Sequence, residues 1–256
     1  MPLYDVIGKT YALTRKPDPR IAEKLREILS SSEVSTVADI GAGTGSYAGV
    51  LADYGYRVLA VEPSATMRSQ GISHPAIEWI DGYGESLPLS DQAVDAAIIM
   101  LAMHHFSDYR QALKEINRTV GNGQMVFFTY NPAMISGFWL TEYFPSFIRD
   151  VESTFLPILK LVQEIETIAD RRVNVIPFSL PNNLSDSFAA VGWGRPELYL
   201  DTDIRNGISS FSKIDEYELN KGLSCLDEDL VKGRWDKKYG YLRQKSHYDA
   251  GYRFIH

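Results

Sequence analysis

Cysteine is nearly absent. The only one in 256 residues is Cys225, which excludes an internal disulfide framework and a thiolate-rich zinc site. Histidine is sparse, five in all. No third ligand is spaced near the adjacent pair His104-His105, so no metal is expected. Positive charge is in deficit: 26 Lys and Arg face 33 Asp and Glu, a net charge of −7. Broad binding to nucleic acid or an anionic membrane needs clustered Lys and Arg, so neither partner is expected. Long apolar runs are missing too. The longest, Ala96 to Met103, falls well short of the about 20 residues a membrane helix needs. Met1 to Thr10 has no apolar targeting core. A cytoplasmic location is expected, with the Asn117 and Asn183 sequons as chance matches. What remains is ordinary globular composition, 45% hydrophobic and 23% charged, enough to bury a real core.

The hydrophobic pattern organises that core. In Arg20 to Leu29, residues Ile21, Leu25, Ile28 and Leu29 fall at helical spacing. Asp18 suits the N-cap and Pro19 the first helical position. Thr36 to Ile40 is a β-type run that meets a glycine cluster. Further runs are Arg57 to Val61, Ile77 to Ile80, Val94 to Leu101 and Gln124 to Tyr130. Helix-length segments separate them: Ser46 to Tyr54, Ala65 to Gln70 and Asp108 to Val120. Strands alternating with helices predict βαβ units and a parallel sheet. The near-continuous apolar strands from Val94 and Gln124 predict helices on both faces. After Pro132 the pattern changes. Residues 133–170 carry aromatics at helical periodicity, and 173–178 read as a strand. Residues 183–191 and 214–231 read as helical, and Tyr248 to Ile255 as a closing strand.

Residues 39–45 read Asp-Ile-Gly-Ala-Gly-Thr-Gly, directly after a strand and before a helix. Only in that context do glycines carry meaning. Gly41, Gly43 and Gly45 permit a tight turn and close approach of a ligand, and the next helix offers its N-terminal N–H groups. The following strand ends in Glu62, placed to accept hydrogen bonds from both ribose hydroxyls of an adenosine group. The plainer alternative is a β–α turn that binds nothing; loop, context and Glu62 together favour binding. In the dinucleotide fingerprint G-x-G-x-x-G the third glycine comes one residue later than here.

This loop resembles motif I of the class I S-adenosylmethionine-dependent methyltransferases. The resemblance continues through E-P-S-A-T-M (62–67), G-Y-G-E-S-L-P-L (82–89), L-A-M-H-H-F-S-D (101–108) and A-L-K-E-I-N-R (112–118). G-N-G (121–123) stands where the family usually has P-G-G. The matches cover about residues 36–131. They imply an α/β fold: a Rossmann-like, doubly wound, mostly parallel seven-stranded sheet with a helical cap inserted after the fifth strand. They also imply S-adenosylmethionine as cofactor and S-adenosylhomocysteine as its product. The implied holders are Asp39, Gly41, Ala42, Gly43, Gly45, Glu62, Pro63 and Met67. Gly84 and Glu85, from the segment beside the adenine, and Leu101 join them. Two departures occur there. Gly84 replaces the usual alanine, and Tyr83 holds a place often taken by an Asp that bonds the adenine amino group. Backbone groups or Glu85 would have to substitute.

The leading segment 4–21 resembles that of a bacterial subset of these enzymes without assigned substrates. There Tyr11 and Arg15 would close over the cofactor, Arg15 pairing its carboxylate. The alternative is a packed tyrosine and a surface arginine. Segments 175–188, 194–200 and 249–255 resemble the same subset. One methyltransferase domain over 1–256 is expected. Its parts would be an N-terminal helical lid (1–35), a cofactor-binding core (36–131), a helical cap (133–170), and a substrate-side elaboration completing the sheet (171–256).

Methyl transfer is an in-line displacement, so the protein mainly aligns the reactants and excludes water. The reacting end should lie beyond the carboxyl ends of the strands, where loops 41–46, 101–106 and 130–139 converge. His105 is the candidate base, able to take a proton near neutral pH, and His104 a substrate contact. Alternatively, one caps the following helix and the other packs. Trp139, Tyr143, Phe144 and Trp193 are candidates for shielding the methyl and stacking on substrate, or else form a core that holds the cap down. The expected reaction is methylation of a small-molecule acceptor. The rivals are a non-catalytic S-adenosylmethionine-binding protein, a nicotinamide-dependent oxidoreductase, and a methyltransferase acting on protein or RNA. No motif names the acceptor, its reacting atom or the oligomeric state.

Overall fold

Helix α1, Pro19–Leu29, forms where its caps and stripe place it. The Asp18 side chain accepts from the Arg20 N–H, Pro19 opens the helix, and Ile21, Ala22, Leu25, Ile28 and Leu29 are buried. The computed structural model describes residues 15–30 and 33–256. Tyr11, and the rest of the expected lid before Arg15, lie outside the described residues.

The strands are β1 (Thr36–Ile40), β2 (Arg57–Val61), β3 (Ile77–Ile80), β4 (Ala96–Met100), β5 (Gln124–Tyr130), β6 (Val175–Pro177), β7 (Leu180–Pro181), β8 (His247–Tyr248) and β9 (Tyr252–Ile255). The helices after α1 are α2 (Ser46–Asp53), α3 (Ala65–Ser69), α4 (Tyr109–Val120), α5 (Ser146–Thr154), α6 (Ile158–Ala169), α7 (Thr202–Asn206), α8 (Glu216–Val231) and α9 (Arg234–Tyr239).

Seven strands form one sheet in the order β3-β2-β1-β4-β5-β9-β6. The first five pair in parallel, and β9 runs antiparallel between β5 and β6. The order reverses between β1 and β4, which opens a crevice beyond their carboxyl ends. Alternate residues feed two cores. Val37, Ala96, Ile98 and Phe128 pack with α1 and α2 on one face. Ala38, Ala97, Ile99 and Phe127 pack with Leu113 and Ile116 of α4 on the other. Both faces are covered, as the apolar strands required.

The later segments differ more from the reading. Strand β4 stops at Met100 because Leu101 takes a left-handed backbone, φ +52°. Residues 183–191 are not helical; Ser185 and Asp186 instead bind Asp18 and Arg15. Of segment 133–170, α6 lies on α4, with Leu161 and Ile165 in the second core, so it covers the sheet. The closing strand is shorter. Gly251, at φ +106°, separates β9 from β8, and β8 pairs with β7 as a ribbon.

Candidate active site

The glycine loop connects β1 to α2. Gly41, Gly43 and Gly45 all have positive φ. At Gly41 a Cβ would stand 2.6 Å from the Ala102 Cβ, so the close approach of the β4 loop requires glycine. Glu62, at the end of β2, holds this loop from across the crevice. Its Oε2 accepts from the Gly43 N–H and its Oε1 from the Ser64 N–H, each at 2.9 Å. A carboxylate oxygen can accept more than one bond.

Asp39 lies beside Glu62 and is 2% exposed. Burial, followed by the Glu62 charge, raises its carboxyl to about 7, while a backbone hydrogen bond at Ala48 opposes the shift. Two adjoining acids in the wall of one cavity favour a positively charged occupant.

That cavity has a volume of about 370 Å³. Asp39, Gly41, Ala42, Gly43, Glu62, Pro63 and Met67 line one side, and Gly84, Glu85, Leu101 and His105 another. Gly45 is not in its wall. Sequence reasoning missed Tyr47, Phe106 and Asp186, which do line it. Phe106 accounts for Gly84: a Cβ there would sit 3.0 Å from the Phe106 ring, so this aromatic takes the space of the usual alanine. Tyr83, in the place often held by Asp, is a 56% exposed wall residue. Glu85 accepts from the Ser107 hydroxyl at 2.8 Å.

Arg15 closes one end. Its Nε donates to Asp186 Oδ1, and the Tyr47 hydroxyl donates to Asp186 Oδ2 at 3.1 Å. The ion pair is largely buried, with side-chain exposures of 13% and 3%. Arg15 and Leu101 also line a second cavity of about 70 Å³, which places the two cavities side by side.

The histidines divide between them. Both lie on a single 3₁₀ turn, Met103–His105. His105 lines the first cavity and is exposed, whereas His104 beside it is half-buried. Desolvation, with the charges of Lys213 and Arg15 adding, lowers the His105 pKa to about 4. It is neutral at pH 7 and a much weaker proton acceptor than an ordinary histidine, which counts against the expected role as base. His104 lines the second cavity, its ring 3.9 Å from that of His105 and 4.3 Å from that of Phe155.

The four aromatic substrate candidates are elsewhere. Trp139, Tyr143, Phe144 and Trp193 line neither cavity. Trp139 Nε1 donates to the Trp193 carbonyl at 2.8 Å, and Trp193 Nε1 to that of Pro181 at 3.1 Å. Phe144 is fully buried against Phe147 and Phe211. Tyr143 donates to Asp229 at 2.8 Å. Trp139, Phe144 and Trp193 belong to the first core and Tyr143 packs against it, the polar tips of the two indoles and the phenol finding protein partners. From the same run Phe138, Phe147 and Phe155 do reach the second cavity, joined by Tyr130, Phe188 and Tyr252. Arg195 bonds the Leu184 and Val191 carbonyls.

Among the described residues no group of three acids, cysteines or histidines could hold a metal, and no helix is long and apolar enough to cross a membrane.

Comparison with known proteins sets this geometry in context. A family model described as "Methyltransferase domain" matches residues 38–128. A crystal structure from Anabaena variabilis, provisionally described as a methyltransferase from an antibiotic biosynthesis pathway, is 44% identical. It superposes with a TM-score of 0.90 over 94% of this chain and 98% of that one. The demethylmenaquinone methyltransferase of Corynebacterium urealyticum is 26% identical over 181 residues, which are 66% of this chain and 78% of that protein. The ubiquinone/menaquinone biosynthesis C-methyltransferase of Rubrivivax gelatinosus is 35% identical over 89 residues, 34% of this chain and 36% of that protein.

Proposed function

Because the chain belongs to the class I S-adenosylmethionine-dependent methyltransferases, we propose that its larger cavity binds S-adenosylmethionine and that it methylates a small-molecule acceptor entering from the smaller one. The observation that carries this is the adjoining pair of buried carboxylates, Asp39 and Glu62, at the glycine loop.

The residues fit the cofactor by the chemistry of their donors. Glu62 would accept from the ribose hydroxyls while still holding Gly43. Asp39, raised to about 7 in the empty cavity, would be drawn into its ionised form by the cationic part of the molecule. Arg15 is oriented by Asp186 to meet a carboxylate. When bound, the cofactor supplies a methyl group activated by its sulfonium. The chain's own residues hold the reactants and keep water out: Phe155, Phe138 and Phe188 make the neighbouring cavity apolar. A small acceptor suits a chamber of about 70 Å³, and the menaquinone-pathway names of two relatives agree with a small organic acceptor.

The test is thermal melting with S-adenosylhomocysteine and with NAD. S-adenosylhomocysteine at about 100 times its Kd should add about 2.7 kcal/mol of stability and raise Tm by about 5–10 °C. NAD should leave Tm unchanged. A shift with NAD alone would overturn the assignment.

A further inference from the structure

The second cavity is apolar in surface but carries hydrogen-bonding groups in its walls. Tyr130, Phe155, Phe188 and Tyr252 supply aromatic faces. Its ionisable lining among the described residues is Arg15, His104, Tyr130 and Tyr252. Arg15 is already paired with Asp186. Burial above all pushes both phenols up and holds His104 well below the ordinary histidine value. The titrating walls are therefore uncharged at pH 7. Tyr130 Oη and His104 Nδ1 are buried with no hydrogen-bond partner, and both rings pack on Phe155, with centroids 5.7 and 4.3 Å away. Buried polar atoms are rarely left orphaned, and a ligand group can supply the missing partner.

We propose that the second cavity receives the acceptor through an uncharged ring end bearing a hydroxyl, with Tyr130 and His104 as that hydroxyl's partners. This rests on the reading of the first cavity as the cofactor's. A charged end would be desolvated with nothing left to balance it. A hydrocarbon end would leave both orphaned atoms as they are. A hydroxyl accepts from the phenol, donates to the imidazole and keeps a second lone pair. An amine has one lone pair, which Tyr130 would occupy. The second cavity, about 70 Å³, is a fraction of the first, about 370 Å³. The end of a small molecule fits it, and a peptide or nucleic-acid chain does not. Side-chain adjustment on binding is common, so the orphaned atoms need only turn toward the ligand.

The test is calorimetry at pH 7 with phenol, toluene, benzoate and benzylammonium, each with and without saturating S-adenosylhomocysteine. Phenol is expected to bind about tenfold more tightly than toluene and than either ion. Tyr130→Phe and His104→Asn should each reduce the preference for phenol over toluene to within about twofold and leave S-adenosylhomocysteine affinity unchanged. The proposal is overturned if either ion matches phenol, if the preference survives both substitutions, if phenol does not bind, or if S-adenosylhomocysteine displaces it. Failure of S-adenosylhomocysteine to bind while phenol selectivity follows Tyr130 and His104 would support this chamber and strike the cofactor reading alone.

Discussion

Glu62 acts on the protein itself, whatever it does for a ligand. By accepting from Gly43 and Ser64 it sets the spacing between the β1 and β2 loops. His105 shows how position alters a residue's chemistry: the ring lines the cavity, yet its surroundings hold its pKa at about 4. An NMR titration should find it neutral from pH 8 down to about pH 5. A midpoint near the ordinary value of about 6.5 would return it to the role of base. Single residues were legible where a short βα unit dictates them. Gly41 and Glu62 are set by a loop that must be tight and an acid that must face it. Trp139, Tyr143 and Phe144 were not legible in that way. Which side of an aromatic turn faces inward depends on Trp193, Phe211 and Asp229, far away in sequence.

At the level of elements, the strands of the first half were read nearly to the residue because each is a short apolar run between turn signals. Segment 183–191 was misread as helical because its conformation comes from partners in the N-terminal segment: Asp18 takes the Ser185 N–H at 3.0 Å, and Arg15 pairs with Asp186. That buried pair ties two remote segments together at the shared wall of the cavities. Arg15→Met should leave Asp186 without its cation and cost about 3–5 kcal/mol in urea unfolding. Adding Asp186→Asn should restore most of the stability. The double variant should still bind S-adenosylhomocysteine about tenfold more weakly, with affinity for 5′-methylthioadenosine, which lacks the amino-acid part, unchanged. Recovery of S-adenosylhomocysteine affinity would remove Arg15 from the site.

On the scale of the whole molecule, the alternation of strands and helices was enough to predict a parallel, doubly covered sheet. A closing strand was expected, but its antiparallel insertion between β5 and β6 was not, since a four-residue strand carries no order in itself. The second cavity was the least legible part. Its walls come from Arg15, the turn after β4, β5, the turns after it, α5, the 188–190 segment, the 207–210 turn and β9, and no local pattern joins them. The crevice also sets a global pH response. Asp39 has its folded pKa raised to about 7 from 3.8. Its contribution to stability is therefore fully present below about pH 4 and lost as pH rises through 7. Asp39→Asn should melt above the unsubstituted protein at pH 8, with the difference shrinking toward pH 5, when both lack ligand. The same variant should bind the cationic cofactor more weakly. An equal melting difference at both pH values would contradict the raised pKa.

The central claim is that Glu62 and the glycine loop hold an adenosyl cofactor. Calorimetric titration of S-adenosylhomocysteine into the unsubstituted protein and into Glu62→Ala, each first shown to be folded by its melting transition, tests it most directly. One site per chain is expected, with affinity about tenfold to a hundredfold weaker in the variant. Equal affinity in the two folded proteins would contradict the account.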